Sequence, residues 1–465
     1  MLKGKSTIEL TDVRTHKKEV YEEENLVTNA VPDLLRLNPS GLMFPIQSTS
    51  TKFEEVIFPI ANKCYGGILL FEDKLEDNPA KYIVPSTNKI IGYASNDVNS
   101  TDSQMRGSAN LNESIPLENG YKFVWDFSTS QANGRISSLA LTHCRGGINF
   151  YGDIYGKVNN TIRLNDTSRE VGDEVLRIYI GMVEANPLTN TFTSIWPLMN
   201  KTLEIIKFKE AISSVGLNDK ISRECFQKIE KVTLDIQDFY KDVDSYYKED
   251  SAFFDGSDGH YYGFIIGVSS NNKNTRLNRI KIKKEDYSFT TDSWIIEDLI
   301  LTNVGSYPNS DEYGAYRITN SLIKDGYFYT INASKTHVIK ININNPIDIK
   351  EIDLGFKSNF KPDSDSYYRI YKYGDYIIGF DFVIDKNDNV IRTKSSYFYR
   401  IMTPFIEYGP FIIGYGSYVR DNHRSLYKML YLMTPYLGTI NNLSSPILKI
   451  ADKTMKITYT LTEEE

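Results

Sequence analysis

Between residues 170 and 436, this chain of 465 residues writes one hairpin repeatedly. A glycine precedes an aromatic-aliphatic strand, a polar turn follows, and a second strand alternates Ile, Leu or Tyr with polar residues. "DGHYYGFIIGVSSNNKNTRLNRIKI" is one copy and "DGYFYTINASKTHVIKINI" another. "YGDYIIGFDFVIDKNDNVIRTKSSYFYRI" and "YGPFIIGYGSYVRDNHRSLYKMLYL" follow, and "LTNTFTSIWPLMNKTLEIIKF" is an earlier copy without the leading glycine. The anchors are Gly259, Gly326, Gly374 and Gly409. Their spacing is uneven but compatible with the about 40–50 residues of a propeller blade. Antiparallel hairpins repeated at that interval predict a β-propeller-like module of five or six blades. A meandering β-sandwich would write a similar pattern. Within the module, "SRECFQKIEKV" has the composition of a short helix, an insertion on a blade rim.

The two ends read differently. Near the start, Ile8 and Leu10 alternate with Glu9 and Thr11, "RTHKK" makes a polar turn, and "EVYEEE" returns as a second strand. Leu26, Val27, Ala30, Leu34, Leu35 and Leu37 then follow helical spacing up to "NPSG". "EEVIFPI", "GGILLFE" and "NKIIGYA" read as strands. "GYKFVWDF" and "RISSLALTH" flank a polar loop with Asn133-Gly134 and predict a hairpin, with Tyr121, Phe123, Trp125 and Phe127 on one face. At the other end, Met455, Ile457, Tyr459 and Leu461 alternate with Lys456, Thr458, Thr460 and Thr462, a half-buried antiparallel strand. Its best partner is the N-terminal hairpin, which has the same one-sided, Thr-rich pattern. The expectation is a mainly β chain. Residues 1–165 form a β-rich domain with one helix, 166–436 a propeller-like insertion, and 437–465 a strand segment returning to the first domain.

Composition narrows the functional classes. A net charge of −7 argues against nucleic acid or an anionic membrane as main partner. The basic run "RLNRIKIKK" (276–284) reads as an exposed strand face. Cys64, Cys144 and Cys225 are odd in number and far apart, so neither a disulfide framework nor metal-ligand spacing is expected, and the chain fits synthesis in a reducing cytoplasm. "MLKGKSTIEL" has no apolar signal core, and the apolar runs are too short to span a membrane as helices. The 33 tyrosines suit half-buried strands and also binding surfaces, where they offer rigid contact area and a hydroxyl.

Chemistry-bearing patterns are sparse. His16, His143, His260, His337 and His423 have no ligand spacing and read as turn, strand or hairpin residues. His143 and Cys144 are adjacent on a strand, point to opposite faces and cannot form a dyad. "GKST" at 4–7 precedes a strand and lacks the upstream half of a phosphate-binding loop. Asp385, Asn387, Asp388 and Asn389 hint at calcium but lack the glycine and distal glutamate of such a loop, so a hairpin turn is expected. Asp255/Asp258 and Asp363/Asp365 could serve as glycosidase carboxylates if they faced each other across a cleft. No catalytic, metal or cofactor residue is nominated, and no binding residue is assigned.

"KGKSTIELTDVRTHKKEVYEEENLVTNAV", "GYKFVWDFSTSQANGRISSLALT" and "YLGTINNLSSPILKIADKTMKITYTLTEE" together resemble a family of tail proteins of tailed bacteriophages and prophages of low-GC Gram-positive bacteria. The resemblance covers about the first 165 and last 30 residues and leaves the middle out. It implies a baseplate or tail-fibre protein of the virion, assembled in the host cytoplasm. Its partners would be other tail proteins and a host-surface glycan or protein, engaged as a symmetric homo-oligomer. It carries no catalytic residues and no cofactor. A purely structural tail component and a tail-borne glycan-degrading enzyme are the alternatives.

Overall fold

The computed structural model describes residues 2–28, 66–142, 161–170, 178–179, 181–186, 189, 191–198, 200–210, 226–242, 251–268, 273–301, 305–306, 318–319, 321–359, 370–379, 381–392, 402–408, 411–420, 423–433 and 436–463. They fall into two units, Met1–Ile162 with Leu432–Glu465, and Arg163–Tyr431. Both are built from strands. Among the described residues, no helix is long and apolar enough to cross a membrane.

The first unit is one large, nearly closed barrel-like sheet. The first strand (Leu2–Asp12) lies between the second (Lys18–Val27) and the last (Lys453–Glu463). Its antiparallel register with the last runs from Leu2↔Glu463 to Asp12↔Lys453. Period-two patterning fixes that register, because a one-residue slip would turn every apolar side chain outward. Ile8 faces Ile457 and Leu10 faces Met455, and all four are buried. Each such side chain contributes about 1.5–3 kcal/mol on leaving water. Gly4 is required here: a Cβ would come within 2.5 Å of the hydroxyl of buried Tyr459.

Beyond the last strand lie Gly120–Phe127 and then Ser108–Ala109. Beyond the second strand come Thr439–Lys449, Gly134–Thr142, Gly67–Phe71 and Ile90–Ala94. The sheet then returns on itself. Tyr93 of Ile90–Ala94 donates to the Met105 carbonyl at 2.9 Å and accepts from the Gly107 amide at 2.8 Å, just before Ser108. Phe123 and Trp125 stack inside, ring centroids 5.7 Å apart, and Trp125 Nε1 donates to the Ser95 carbonyl at 3.1 Å.

Two sequence expectations fail in this unit. Gly120–Phe127 and Gly134–Thr142 are both strands but not each other's partners. The first pairs with the last strand, the second with Gly67–Phe71 and Thr439–Lys449. Their connecting loop curls around Lys449 and carries the chain across the barrel, so Asn133-Gly134 closes no hairpin. The helix expected from Leu26 does not begin there either. Leu26 and Val27 are strand residues paired with Ile440 and Thr439; from residue 29 the segment lies outside the described residues, as does "EEVIFPI".

Among the described residues, the second unit is a β-propeller-like ring of five four-stranded antiparallel sheets, with a two-stranded pair, Gly305–Ser306 and Ile318–Thr319, besides them. Blade 1 comprises Met182–Asn186, Thr191–Pro197, Thr202–Glu210 and Phe226–Asp235. Blade 2 comprises Ala252–Asp255, His260–Val268, Thr275–Lys283 and Phe289–Ile296. Blade 3 comprises Leu322–Lys324, Tyr327–Ile331, His337–Asn342 and Ile349–Asp353. Blade 4 comprises Tyr371–Tyr373, Tyr376–Ile378, Phe382–Ile384 and Val390–Arg392. Blade 5 comprises Met402–Tyr408, Phe411–Arg420, His423–Met433 and, as its outermost strand, Thr161–Glu170 from the start of the unit. The last blade is thus sewn shut by the first strand. The innermost strands neighbour one another from blade 1 to blade 5 and back to blade 1, closing the ring.

The strands are apolar on both faces because each blade packs on two neighbours. In blade 2, Tyr261, Ile265, Ile280 and Ile282 meet Ile195, Leu203 and Ile205 of blade 1. The alternate residues Tyr262, Phe264 and Ile266 meet Phe328, Ile339 and Ile341 of blade 3. This corrects the reading of residues 276–284 as an exposed face: Thr275–Lys283 is the third strand of blade 2, paired on both sides, with Arg279 buried. The Arg279 guanidinium donates to Asp292 and to the Ile343 carbonyl and lies 4.9 Å from the Trp294 ring. The helix expected in "SRECFQKIEKV" is also corrected. Phe226–Asp235 is the outermost strand of blade 1, with Val232 and Leu234 turned to the core. Lys-Glu spacing there fits either period, and the unfilled edge of the sheet selects the strand. Residues 211–225 lie outside the described residues.

Candidate functional site

The five inner strands end in charge. Glu184 lies on the inner strand of blade 1, Asp255 on blade 2, Lys324 on blade 3, Lys372 on blade 4 and Glu407 on blade 5. Each stands within a few residues of the turn into the next strand. Ring closure therefore gathers them about the axis, carboxylates on blades 5, 1 and 2 and amines on blades 3 and 4.

Lys284 organises the carboxylate side. It follows the third strand of blade 2, and its amide donates to the Gly259 carbonyl at 3.0 Å. Gly259 has φ +86, a left-handed turn position that favours glycine. The Lys284 ammonium reaches Glu184 Oε1 at 2.7 Å and Asp255 Oδ1 at 2.9 Å and lies 4.8 Å from the Tyr261 ring. The other Glu184 oxygen accepts from the Tyr261 hydroxyl at 2.6 Å and from Thr193 at 3.4 Å. Burial pushes the Glu184 carboxyl up, but Lys284, Tyr261 and Thr193 outweigh it and hold the group below its usual range. Burial likewise opposes the Lys284 charge, and its two carboxylates overcome that and raise it. The Tyr261 phenol is pushed up by burial and then by Glu184.

Glu407 behaves oppositely. Burial drives its carboxyl up, against the Gly374 amide, which donates to it, and the charges of Lys372 and Lys324. Lys324 is itself occupied by Asp325 at 2.5 Å. The two carboxyls of the axial cluster are thus driven apart, Glu184 below its usual range and Glu407 above it. The Lys284 ammonium bridges the Glu184 and Asp255 carboxylates. The arrangement ties blade 1 to blade 2.

Removing that tie has a measurable signature. Lys284→Met leaves two carboxylates without their cation and is expected to cost about 1–3 kcal/mol at neutral pH, the upper values for buried pairs being discounted for exposure. Side-chain exposures here are 21–32%. The depressed Glu184 makes the tie fully present above the unfolded carboxyl value and lost as pH falls through the folded one. The raised Lys284 keeps it until pH rises past the ordinary lysine range. The stability gap between wild type and variant in urea is thus expected to be full between about pH 5 and 10 and to close in stronger acid. A gap that persists unchanged at about pH 2 would refute the assignment.

The residues singled out in sequence lie as follows. Asp258 does not face Asp255 across a cleft: it accepts from the Tyr262 hydroxyl at 2.6 Å and the His260 amide at 3.1 Å. Asp385 Oδ1 is used by the amides of Asn387 and Asn389 at 2.8 and 2.9 Å, and Asp388 holds Lys340 at 3.1 Å, so 385–389 is a closed hairpin turn. His16 sits in the first turn, at φ +58. His260 and His337 open strands, hydrogen-bonded within their own turns. Residues 4–7 belong to the first strand. Cys64, His143, Cys144, Cys225, Asp363, Asp365 and the side chain of His423 lie outside the described residues. Among the described residues, no group of three or more His, Cys, Asp or Glu side chains could hold a metal ion. Glu184, Lys324, Lys372 and Glu407 were not singled out, and Lys284 was noted only as the end of the basic run 276–284. Their only trace in sequence is a charge just before the inter-strand turn, as in "LIKDG", "YKYGD" and "IEYGP".

No family model matches the chain, and no curated protein matches it. Among solved structures, a nidogen/laminin complex aligns at 11% identity and a TM-score of 0.22, covering 70% of this chain and 92% of that one. The core factor of S. cerevisiae aligns at 9% and 0.21, over 66% and 62%. Trypanosoma rangeli sialidase in complex with sialic acid aligns at 9% and 0.21, over 78% and 58%. At these scores the likenesses carry neither fold nor function.

Proposed function

We propose that this chain is a virion protein of a phage tail tip, a baseplate or tail-fibre component, whose propeller-like module attaches to the host-cell surface. The carrying observation is the division of the chain: its first and last strands pair in one barrel-like sheet, and the ring of blades is inserted between them. The barrel segments are also those that resemble phage tail proteins. In this reading the barrel docks to other tail proteins, the protein assembles in the bacterial cytoplasm as a symmetric homo-oligomer, and the blades present a host-specific surface. A closed ring suits that role, because its hairpins can vary while the inter-blade cores keep the shape. The ligand would be a surface glycan or protein of a Gram-positive cell, held by stacking and hydrogen bonds from hairpin tips.

The test uses labelled full-length protein and a panel of Gram-positive strains. Asn200 and Ser334 are exposed in the hairpins joining the middle strands of blades 1 and 3. The double variant Asn200→Ala/Ser334→Ala is expected to lower strain-selective binding about tenfold or more, equivalent to about 1.4 kcal/mol, with only a small fall in melting temperature from the lost turn bond that the Thr202 hydroxyl donates to Asn200 at 2.6 Å. Asn332 is left in place because its side-chain oxygen receives the Thr336 amide at 3.0 Å and shapes the turn. Folded protein that binds no strain would overturn the attachment reading and favour a purely structural tail component.

A further inference from the structure

Lys449 is the last residue of its strand, opposite Gly134, and only 1% exposed. Its Nζ donates to Asn133 Oδ1 at 3.0 Å, the Ser128 carbonyl at 2.9 Å and the Thr129 carbonyl at 3.3 Å. A buried ammonium is ordinarily paired with an anion. Among the described residues, no carboxylate pairs with this one, and what faces it instead is a carboxamide. The Asn133 amide is held from two sides: Oδ1 accepts from Lys449, and Nδ2 donates to the Thr129 carbonyl at 2.9 Å. A C=O bond is about 1.23 Å long, so the carbon Cγ stands no more than about 4.2 Å from Nζ. A small rotation of the Asn133 side chain brings the two atoms to the about 3–3.5 Å at which reacting atoms combine. The carboxylate whose charge acts on Lys449 is Asp452, in the turn that follows, and its buried Oδ1 has no hydrogen-bond partner among the described residues.

We propose that Lys449 and Asn133 are the two halves of an intramolecular isopeptide bond: the Lys449 amine displaces ammonia from the Asn133 carboxamide and staples two strands of the barrel sheet together.

The step needs no oxidant and no cofactor. Lys449 gives one proton to Asp452 through a water, and the neutral Nζ attacks Cγ. The Nζ–Cγ bond forms and the Cγ–Nδ2 bond breaks. Nδ2 takes the second proton that Nζ sheds and departs as ammonia, which recovers the first proton from Asp452. An ammonium side chain and a carboxamide thus become a secondary amide and an ammonium ion. Burial without a paired anion favours the neutral, attacking form of a lysine, and here it pulls Lys449 down to about 8. The Ser128 and Thr129 carbonyls hold the amine against Asn133. Asn133 is itself exposed, so ammonia leaves directly into water. The bond joins Gly134–Thr142 to Thr439–Lys449 at their paired ends, and the whole unit Arg163–Tyr431 lies on the loop it closes. A cross-link over so long a loop restricts the unfolded chain far more than the folded one. The inference holds whether or not the blades attach to a host cell.

The experiment is the intact mass of the purified full-length chain, measured under denaturing conditions. The mass is expected to fall short of the sequence by one ammonia. Protease digestion is expected to release one branched peptide that joins the stretch around Asn133 to the stretch around Lys449. Asn133→Ala and Lys449→Arg are each expected to restore the full mass, and folded Asn133→Ala to unfold at lower urea than wild type. Asp452→Asn is expected to slow the loss of ammonia, followed with time after synthesis, by about tenfold or more. Folded wild-type protein that keeps the full mass of its sequence overturns the proposal. So does a loss of ammonia that survives in Lys449→Arg, which marks a succinimide between Asn133 and the Gly134 amide instead.

Discussion

The Ile457→Asp variant is expected to lose the barrel altogether. Ile457 is 0% exposed in the last strand, with Ile8 opposite on one side and Trp125 on the other. Truncating such a side chain costs about 2–5 kcal/mol. A carboxylate with no partner adds several more, because no cation faces the interior at this position. The sum is comparable with the whole stability of an ordinary domain, about 5–15 kcal/mol. Trp125 reports the outcome. The chain has three tryptophans, and Trp196→Phe with Trp294→Phe leaves Trp125 alone to fluoresce. Its emission should move to the red, as for an indole in water, in native buffer. The control is Thr460→Asp, three residues on and on the outer face. Thr460 pairs with Lys5 on one side and Lys122 on the other, so a carboxylate there is expected to be neutral or slightly stabilising. Equal damage from both substitutions would mean that the alternation along the last strand does not set which face is buried.

The same strand shows what was legible beforehand. Met455, Ile457, Tyr459 and Leu461 declared their buried face by period alone, and its match to the first strand's pattern identified the partner. The propeller hairpins were legible for a similar reason. A strand, a turn and the returning strand are local, and four of the five copies supply the two middle strands of one blade; in the blade 4 copy "YIIGFDFVI" divides into both middle strands and the polar turn 385–389 leads to the outermost strand. What failed was non-local. Gly120–Phe127 and Gly134–Thr142 carry strong strand patterns and an Asn-Gly turn, yet each finds a partner hundreds of residues away. Nothing in the local pattern announces that Lys449 will draw the connecting loop around itself. Residues 226–235 kept a helix-compatible spacing, and only an unfilled sheet edge selected the strand. The axial cluster was hardest to see. Glu184, Asp255 and Lys284 come from different turns and meet because blade 2 packs on blade 1, whereas Glu407 joins the cluster's ring only through closure, which returns blade 5 to blade 1. Local chemistry could propose hairpins but not the circle that brings their ends together.

That circle has a thermodynamic consequence, and Phe328→Ala exposes it. Phe328 is 0% exposed at the interface of blades 2 and 3, stacked on Phe264 with centroids 4.2 Å apart and edge-on to Phe254 at 6.0 Å. Deleting a buried phenylalanine ring costs about 3–5 kcal/mol. About 0.5–1.5 kcal/mol of this should appear as coupling to Phe264 in a double-mutant cycle, beyond simple area burial. In an open array of repeats the loss would stay near the damaged interface, because each unit answers only to its neighbours. In a closed ring no blade has a free end, so opening one interface removes the constraint on all. The slowest-exchanging amides in the middle strands of all five blades are therefore expected to lose protection together, by roughly a hundredfold or more, as 1.4 kcal/mol is one factor of ten. Protection lost in blades 2 and 3 alone would show that the five sheets stand as a chain of neighbours, and that the strand donated to blade 5 closes the module in geometry but not in energy.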